Sequence, residues 1–288
     1  MTQTLINCAT CEVSDTQPFL RMGGLGPRHL VKCRQCGLIY TSPRPTMAKV
    51  NQFFTAGYIK DRRKLERELG SYRSLSLTRE AGLVRQLRSG GRILDIGCAG
   101  GAFLANFEAG EWERHGVEPS PLAARAAEKN GIRVYEGLFA DAAIDPELRF
   151  DVVTCLDVLC FSASPAEDLR RMRQLLTPDG YLIIDLPGYL YRVSRNIGPL
   201  CWLVNRRWSN FLDGSPHLYL FSPASLRRML AATGFTIEAI HPEYAPMRGS
   251  IFSRTLNRLH YLASSLIMSL TNQRLLTAAK LVYVCRRT

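Results

Sequence analysis

Apolar and polar positions change rhythm several times along the chain, and the most regular stretch begins at Arg92. From there short apolar runs alternate with segments of helical spacing. The runs ILDI (93–96), ERHGVE (113–118), IRVYEG (132–137), FDVVTCLDVL (150–159), GYLIIDLP (180–187), FTIEAI (235–240) and KLVYVCRR (280–287) read as strands. AFLANFEAG (102–110), SPLAARAAEKNG (120–131), PAEDLRRMRQLL (165–176) and SPASLRRMLAATG (222–234) read as helices, the second capped by Ser120 and stopped by Gly131. Strands alternating with helices predict an α/β fold: a Rossmann-like, seven-stranded, mostly parallel sheet covered on both faces. Two insertions break the alternation, one at about 188–220 and one, basic and apolar, at about 246–277. Ahead of the sheet, 47–90 is charged and helix-prone and ends at Gly90-Gly91. It is expected to pack beside the main domain, 91–288, as a cap over part of its ligand cleft.

Residues 1–46 follow neither rhythm. Cys8-Ala-Thr-Cys11 and Cys33-Arg-Gln-Cys36 each place two thiols on one tight knuckle, with a Gly-rich, hairpin-like segment between them. Four sulfurs so spaced predict a tetrahedral zinc site, closed to further ligands and therefore structural. Its work would be to fold a piece too small to have a core.

Composition refines this picture. The chain has 288 residues, enough for one full α/β core with appendages. Its N-terminal residues show no basic stretch followed by an apolar one, so no secretory signal is expected. Nine cysteines, an odd number, then suit metal and core chemistry in a reducing cytoplasm better than disulfides. The apolar stretch Leu259 to Gln273 is too short and too interrupted to span a membrane. The net charge of +12 is uneven: residues 93–190 carry −8, while 49–92 and 246–288 carry +7 each. Basic appendages around an acidic middle suit an anionic partner: a diphosphate, a lipid headgroup layer or RNA.

The turn after the first Rossmann strand reads Asp95-Ile-Gly97-Cys98-Ala99-Gly-Gly101. A small-residue turn between strand and helix lets backbone approach a ligand closely. The dinucleotide pattern G-x-G-x-x-G fails, because positions 99 and 102 are alanine. The turn resembles instead the D-x-G-x-G-x-G signature of class I S-adenosylmethionine-dependent methyltransferases. Ala99 departs from it at the middle glycine, with altered packing expected rather than lost binding. LTPDGYLIIDLP (176–187), HLYLFSPASLRRMLAATGF (217–235) and CGLIYTSPRP are similar to further segments of such enzymes. With the four-cysteine head, the chain most resembles bacterial zinc-ribbon methyltransferases, a group that includes sugar methyltransferases.

That resemblance implies a cofactor site made of Asp95, Gly97, Cys98, Ala99 and Gly101 in the turn, Glu118 and Pro119 at the end of the next strand, and Leu138 beside the adenine. Glu118 would accept the two ribose hydroxyls. A sulfonium methyl is already activated, so the enzyme mainly has to align a nucleophile. Where the acceptor must lose a proton, Asp157, at the end of the fourth strand, and His217 are the candidate acid–base groups. Ubiquinone-biosynthesis O-methyltransferases share the layout but carry Glu-His after that strand. Here Cys160 and Phe161 stand there, which argues against a catalytic divalent metal and against that activity.

The expected acceptor is a small molecule, anionic or glycan-linked: a sugar or lipid-linked glycan intermediate. The first insertion, with Trp202, Trp208 and Phe211 among Arg192, Arg195, Arg206 and Arg207, suits a substrate lid or a peripheral membrane contact. The alternatives are an RNA methyltransferase that holds RNA with the zinc module and basic appendages, and a binding protein that keeps the cofactor fold without catalysis.

Overall fold

The computed structural model describes residues 5–22, 28–44, 46–57, 59, 61, 63, 73–194, 218–244 and 251–288. Two sheets organise them. The larger has seven strands: β4 (Gly91–Ile96), β5 (Trp112–Glu118), β6 (Arg133–Glu136), β7 (Phe150–Leu156), β8 (Leu176–Pro187), β10 (Phe235–Glu243) and β11 (Lys280–Arg287). Their order is β10-β11-β8-β7-β4-β5-β6, parallel throughout except for β11, which runs antiparallel to both its neighbours. The chain starts this sheet in the middle and reverses direction across it between β4 and β7. An open parallel sheet leaves its ligand crevice at such a switch point, outside the C-terminal ends of the strands.

Side chains alternate across the sheet, as its apolar runs predict. Val152 and Leu156 of β7 join Leu77, Ala81 and Val84 of the helix Arg73–Leu87 on one face. Val153 and Cys155 join Leu169 and Met172 of Pro165–Leu175, and Leu226 and Met229 of Pro223–Ala232, on the other.

Two local expectations are revised. The segment 102–110 forms only a 3-10 turn, Leu104–Asn106, because the Asn106 amide donates back to the Ala102 and Phe103 carbonyls and Phe107 turns extended. Ser120 precedes the helix Pro121–Lys129, but its hydroxyl donates to the Ile59 carbonyl instead of capping that helix.

The smaller sheet contains β1 (Thr16–Met22), β2 (Arg28–Cys33) and β3 (Ile39–Thr41) in antiparallel order. Its fourth strand is β9 (Tyr219–Leu220), which pairs with β3 from far along the chain. Ser222 caps the helix Pro223–Ala232, accepting from Ser225 N, and its Oγ also donates to the Cys36 carbonyl at 2.7 Å. Cys8, Cys33, Cys36, Leu38 and Tyr40 are buried in one cluster with the Rossmann core.

Candidate functional site

The turn that follows β4 folds tightly because three of its residues adopt left-handed backbone: Gly97 (φ +76°), Ala99 (φ +48°) and Gly101 (φ +82°). A methyl group on Gly97 would come within 2.6 Å of the stiff Val158 side chain, while one on Gly101 would meet the movable end of Ile132, so conformation favours glycine at both and space adds to it at Gly97. Ala99 adopts the same conformation at a cost of about 1 kcal/mol. It packs against the small cluster of Ile59 and Ala123, so the segment ahead of the main domain comes close to the turn here. Backbone N–H groups of Gly97 and Cys98 both donate to Val117 O on β5, which locks the turn to that strand.

Glu118 ends β5 beside this turn. Its Oε2 accepts from Ala99 N at 2.9 Å and its Oε1 from Ser120 N at 2.8 Å. The carboxylate is buried, and burial pushes its pKa up to about 7 against these two donors. Each oxygen keeps acceptor capacity beyond the bond already made. Gly137 N donates to Glu118 O, which sets half-buried Leu138 next to the same corner, and half-buried Pro119 lies between Glu118 and Ser120.

Asp95 is buried and accepts from Thr154 Oγ1 at 2.7 Å, which ties β4 to β7 below the turn. The Cys98 thiol is buried beneath the turn, against Gly116 of β5, and burial raises its pKa well above the usual value. Only the backbone of Cys98 belongs to the turn's open side.

Asp157 directly follows β7, half-buried, with φ +62° and its N–H donated to Asp185 O. Its neighbour Val158 lies against Gly97, which brings Asp157 next to the glycine turn. His217 falls outside the described residues, as do Trp202, Trp208, Phe211, Arg195, Arg206 and Arg207. Where a Glu-His pair would follow, Cys160 is buried and Phe161 stacks edge-on against Phe54 at 5.2 Å.

Several groups on this edge of the sheet escaped the sequence reading. Buried Asp185 on β8 pairs with Lys280 on β11, and buried Glu243 on β10 stands opposite Lys280. Burial and the Asp185 charge raise the Glu243 pKa to about 7. For Asp185 the signal was present, because an acid inside the apolar run LIIDLP is out of place in a buried strand; Glu243 ends a strand of mixed exposure, where an acid is ordinary.

The four cysteines of the N-terminal segment converge. Their sulfurs all lie within 4.8 Å of one another, with Cys8 and Cys36 at 3.6 Å. Sulfurs about 2.3 Å from a tetrahedral zinc ion stand roughly 3.8 Å apart, so this donor set fits that ion. Gly37 (φ +73°) and Glu12 (φ +60°) turn the two knuckles, with Gly37 N donating to Cys33 O and Glu12 N to Cys8 O. Burial pushes the Cys8 thiol up to about 11 and that of Cys36 higher still, whereas backbone donors and its cysteine neighbours lower that of Cys33. Among the described residues no other such group of metal-ligating side chains occurs.

Residues 62–240 match the family model described as a methyltransferase domain. The chain is similar to the ubiquinone biosynthesis O-methyltransferase of Azorhizobium caulinodans, 27% identical over 240 residues, which cover 78% of this chain and 87% of that protein. It is also similar to the enzyme of the same name from Aeromonas salmonicida, 29% identical over 55% of this chain and 68% of that one. Among solved structures, a plantazolicin methyltransferase with S-adenosylhomocysteine bound overlays with a TM-score of 0.54 at 14% identity, covering 84% and 95% of the two chains. Magnesium protoporphyrin IX methyltransferase from Synechocystis PCC 6803, also with S-adenosylhomocysteine, gives 0.52 at 13% identity, covering 84% and 99%. These overlays bear on the fold.

Proposed function

The chain belongs to the methyltransferase-domain family, and on that premise we propose that this S-adenosylmethionine-dependent enzyme methylates a sugar or lipid-linked glycan intermediate. The observation that carries the cofactor assignment is Glu118, a buried carboxylate fixed by two backbone N–H groups beside a turn stripped of side chains. Both of its oxygens are oriented, and each has a lone pair left for a ribose hydroxyl. The backbone of Gly97 to Gly101 is the floor, Pro119 and Leu138 border the adenine, and Asp95 holds β4 and β7 in place beneath the turn through Thr154.

Bound S-adenosylmethionine supplies an activated methyl group. The protein's own task is to hold the acceptor oxygen, nitrogen or carbon in line with it and exclude water. Asp157, at the switch point and beside the turn, is the group to accept a proton from an acceptor hydroxyl, with His217 as the second candidate. Relatives named for ubiquinone biosynthesis make a small-molecule acceptor the natural class. Cys160 and Phe161 speak against that particular acceptor and against a divalent metal beside Asp157.

The cysteine cluster is the site of a structural zinc ion, held by Cys8, Cys11, Cys33 and Cys36 in a zinc-ribbon-like module. The acceptor's anionic character and a peripheral membrane contact are read from the basic appendages. Incubation with methyl-labelled S-adenosylmethionine and fractionated cell extract tests the acceptor. Label is expected in a glycan or lipid fraction; label only in RNA rejects this reading.

A further inference from the structure

The helix Ile251–Leu270 is anchored along one face and bare along the other. On the anchored face Asn257, Ser264 and Met268 are buried, and the Tyr261 ring meets Tyr244 at 5.6 Å. On the opposite face Leu256, Leu259, Leu262, Leu266 and Leu270 are 53–77% exposed, and Ile267 is 38% exposed. Helical spacing gathers these six into one stripe about 140° wide. Isolated surface leucines need no explanation, but a continuous stripe of this length marks an interaction site.

Charge identifies the occupant. From Pro246 to Thr288 the chain carries seven Lys and Arg side chains and no Asp or Glu. Arg254, Arg258 and Arg274 are exposed around the stripe. A second copy laid against this face would set arginines near arginines without an acid from this segment to offset them. An anionic phospholipid surface accepts both features: leucines enter the acyl boundary while the guanidinium groups meet phosphates. No helix among the described residues is long and apolar enough to cross a membrane. Its placement also matters. His260 contacts the Tyr191 ring at 4.9 Å, and Tyr191 belongs to the helix Tyr189–Ser194, which begins where β8 ends at the ligand edge.

We propose that the helix Ile251–Leu270 docks the enzyme on an anionic phospholipid bilayer, with its leucine stripe in the acyl boundary and the ligand edge of the sheet held near the lipid headgroups. This deepens the peripheral contact proposed above and rests on it, but does not depend on which acceptor is methylated.

Co-sedimentation of the full chain with vesicles of phosphatidylglycerol and phosphatidylcholine, against phosphatidylcholine alone, tests it. Wild-type protein is expected to partition onto the anionic vesicles, and Leu262→Glu with Leu266→Glu to lower that partition by about ten-fold or more. Arg254→Glu with Arg258→Glu should remove the preference for anionic lipid. Calorimetric binding of S-adenosylhomocysteine should be unchanged in both variants, which separates a failure of docking from a failure of the cofactor assignment. Three results overturn the proposal: no partition by wild type, equal partition by wild type and the leucine variant, or a wild-type dimer in sedimentation velocity that the leucine substitutions dissociate.

Discussion

Both oxygens of Glu118 are engaged before any ligand arrives, by the N–H groups of Ala99 and Ser120, yet burial outweighs these donors and raises the carboxyl pKa from 4.5 to about 7. A raised pKa means that the folded chain holds this proton more tightly than the unfolded chain does. The stabilisation it represents is present below pH 4.5 and is lost as pH rises through about 7. Ribose hydroxyls donate to the ionised form, so binding pulls the pKa back down. Cofactor affinity should therefore rise between about pH 6 and 8 and then level off. Near pH 7, calorimetry in buffers of different ionisation enthalpy should register proton release on binding. A flat affinity profile with no proton release would count against Glu118 as the ribose ligand. In the turn itself, two similar substitutions should behave differently. Gly97→Ala forces a side chain into φ +76° and against Val158, and is expected to cost about 2–4 kcal/mol by denaturant titration. Ala99→Gly relieves left-handed strain but loses the methyl packing against the Ile59 and Ala123 cluster and adds backbone entropy; these effects nearly cancel, leaving stability within about 1 kcal/mol of wild type. Equal effects from the two would contradict the geometry of the turn.

Strand β9 is where the chain's two sheets meet. Tyr219 and Leu220 extend the β1-β2-β3 sheet, Leu218 N donates to Cys160 O in the loop after β7, and Thr41 N donates to Leu218 O. Ser222 joins the knuckle of Cys36 to the helix that follows β9. The four-cysteine module is thus stitched to the loop that carries Asp157 and to the segment directly after His217. Chelation of the zinc proposed at the four cysteines, or Cys33→Ser, should increase hydrogen exchange at residues 218–222 as well as at 28–41. Exchange confined to the first 46 residues would show instead that the module opens by itself. The sequence made both knuckles legible through cysteine spacing, because two C-x-x-C pairs each hold their sulfurs on one tight turn. It could not reveal β9: a two-residue strand has no periodicity, and its partner lies about 180 residues away. The helix expected over 102–110 failed for a local reason, since the Asn106 side chain takes the carbonyls that the helix would have used.

At the scale of the whole molecule, the parts that the sequence disclosed are those governed by repeating physical constraints: seven apolar strands, the alternation with helices, the small-residue turn and the acid one strand over. What it hid depends on long-range juxtaposition. Thr154 became the partner of Asp95, Ile59 reached Ala99, and Asp185, Lys280 and Glu243 gathered at the ligand edge only through the β10-β11-β8 order. The shared buried cluster that runs from Cys8 to Cys285 predicts that the two sheets unfold together. A calorimetric scan should show one main transition, shifted downward as a whole by removal of the zinc proposed at the four cysteines; two separate transitions would contradict that coupling. Isothermal titration of S-adenosylhomocysteine into the full chain should find one site per chain, with affinity about 10–100-fold weaker for Glu118→Gln, which loses the charge that orders two hydroxyl bonds. The absence of binding to wild type, or equal affinity in the variant, would contradict Glu118 as the seat of the cofactor.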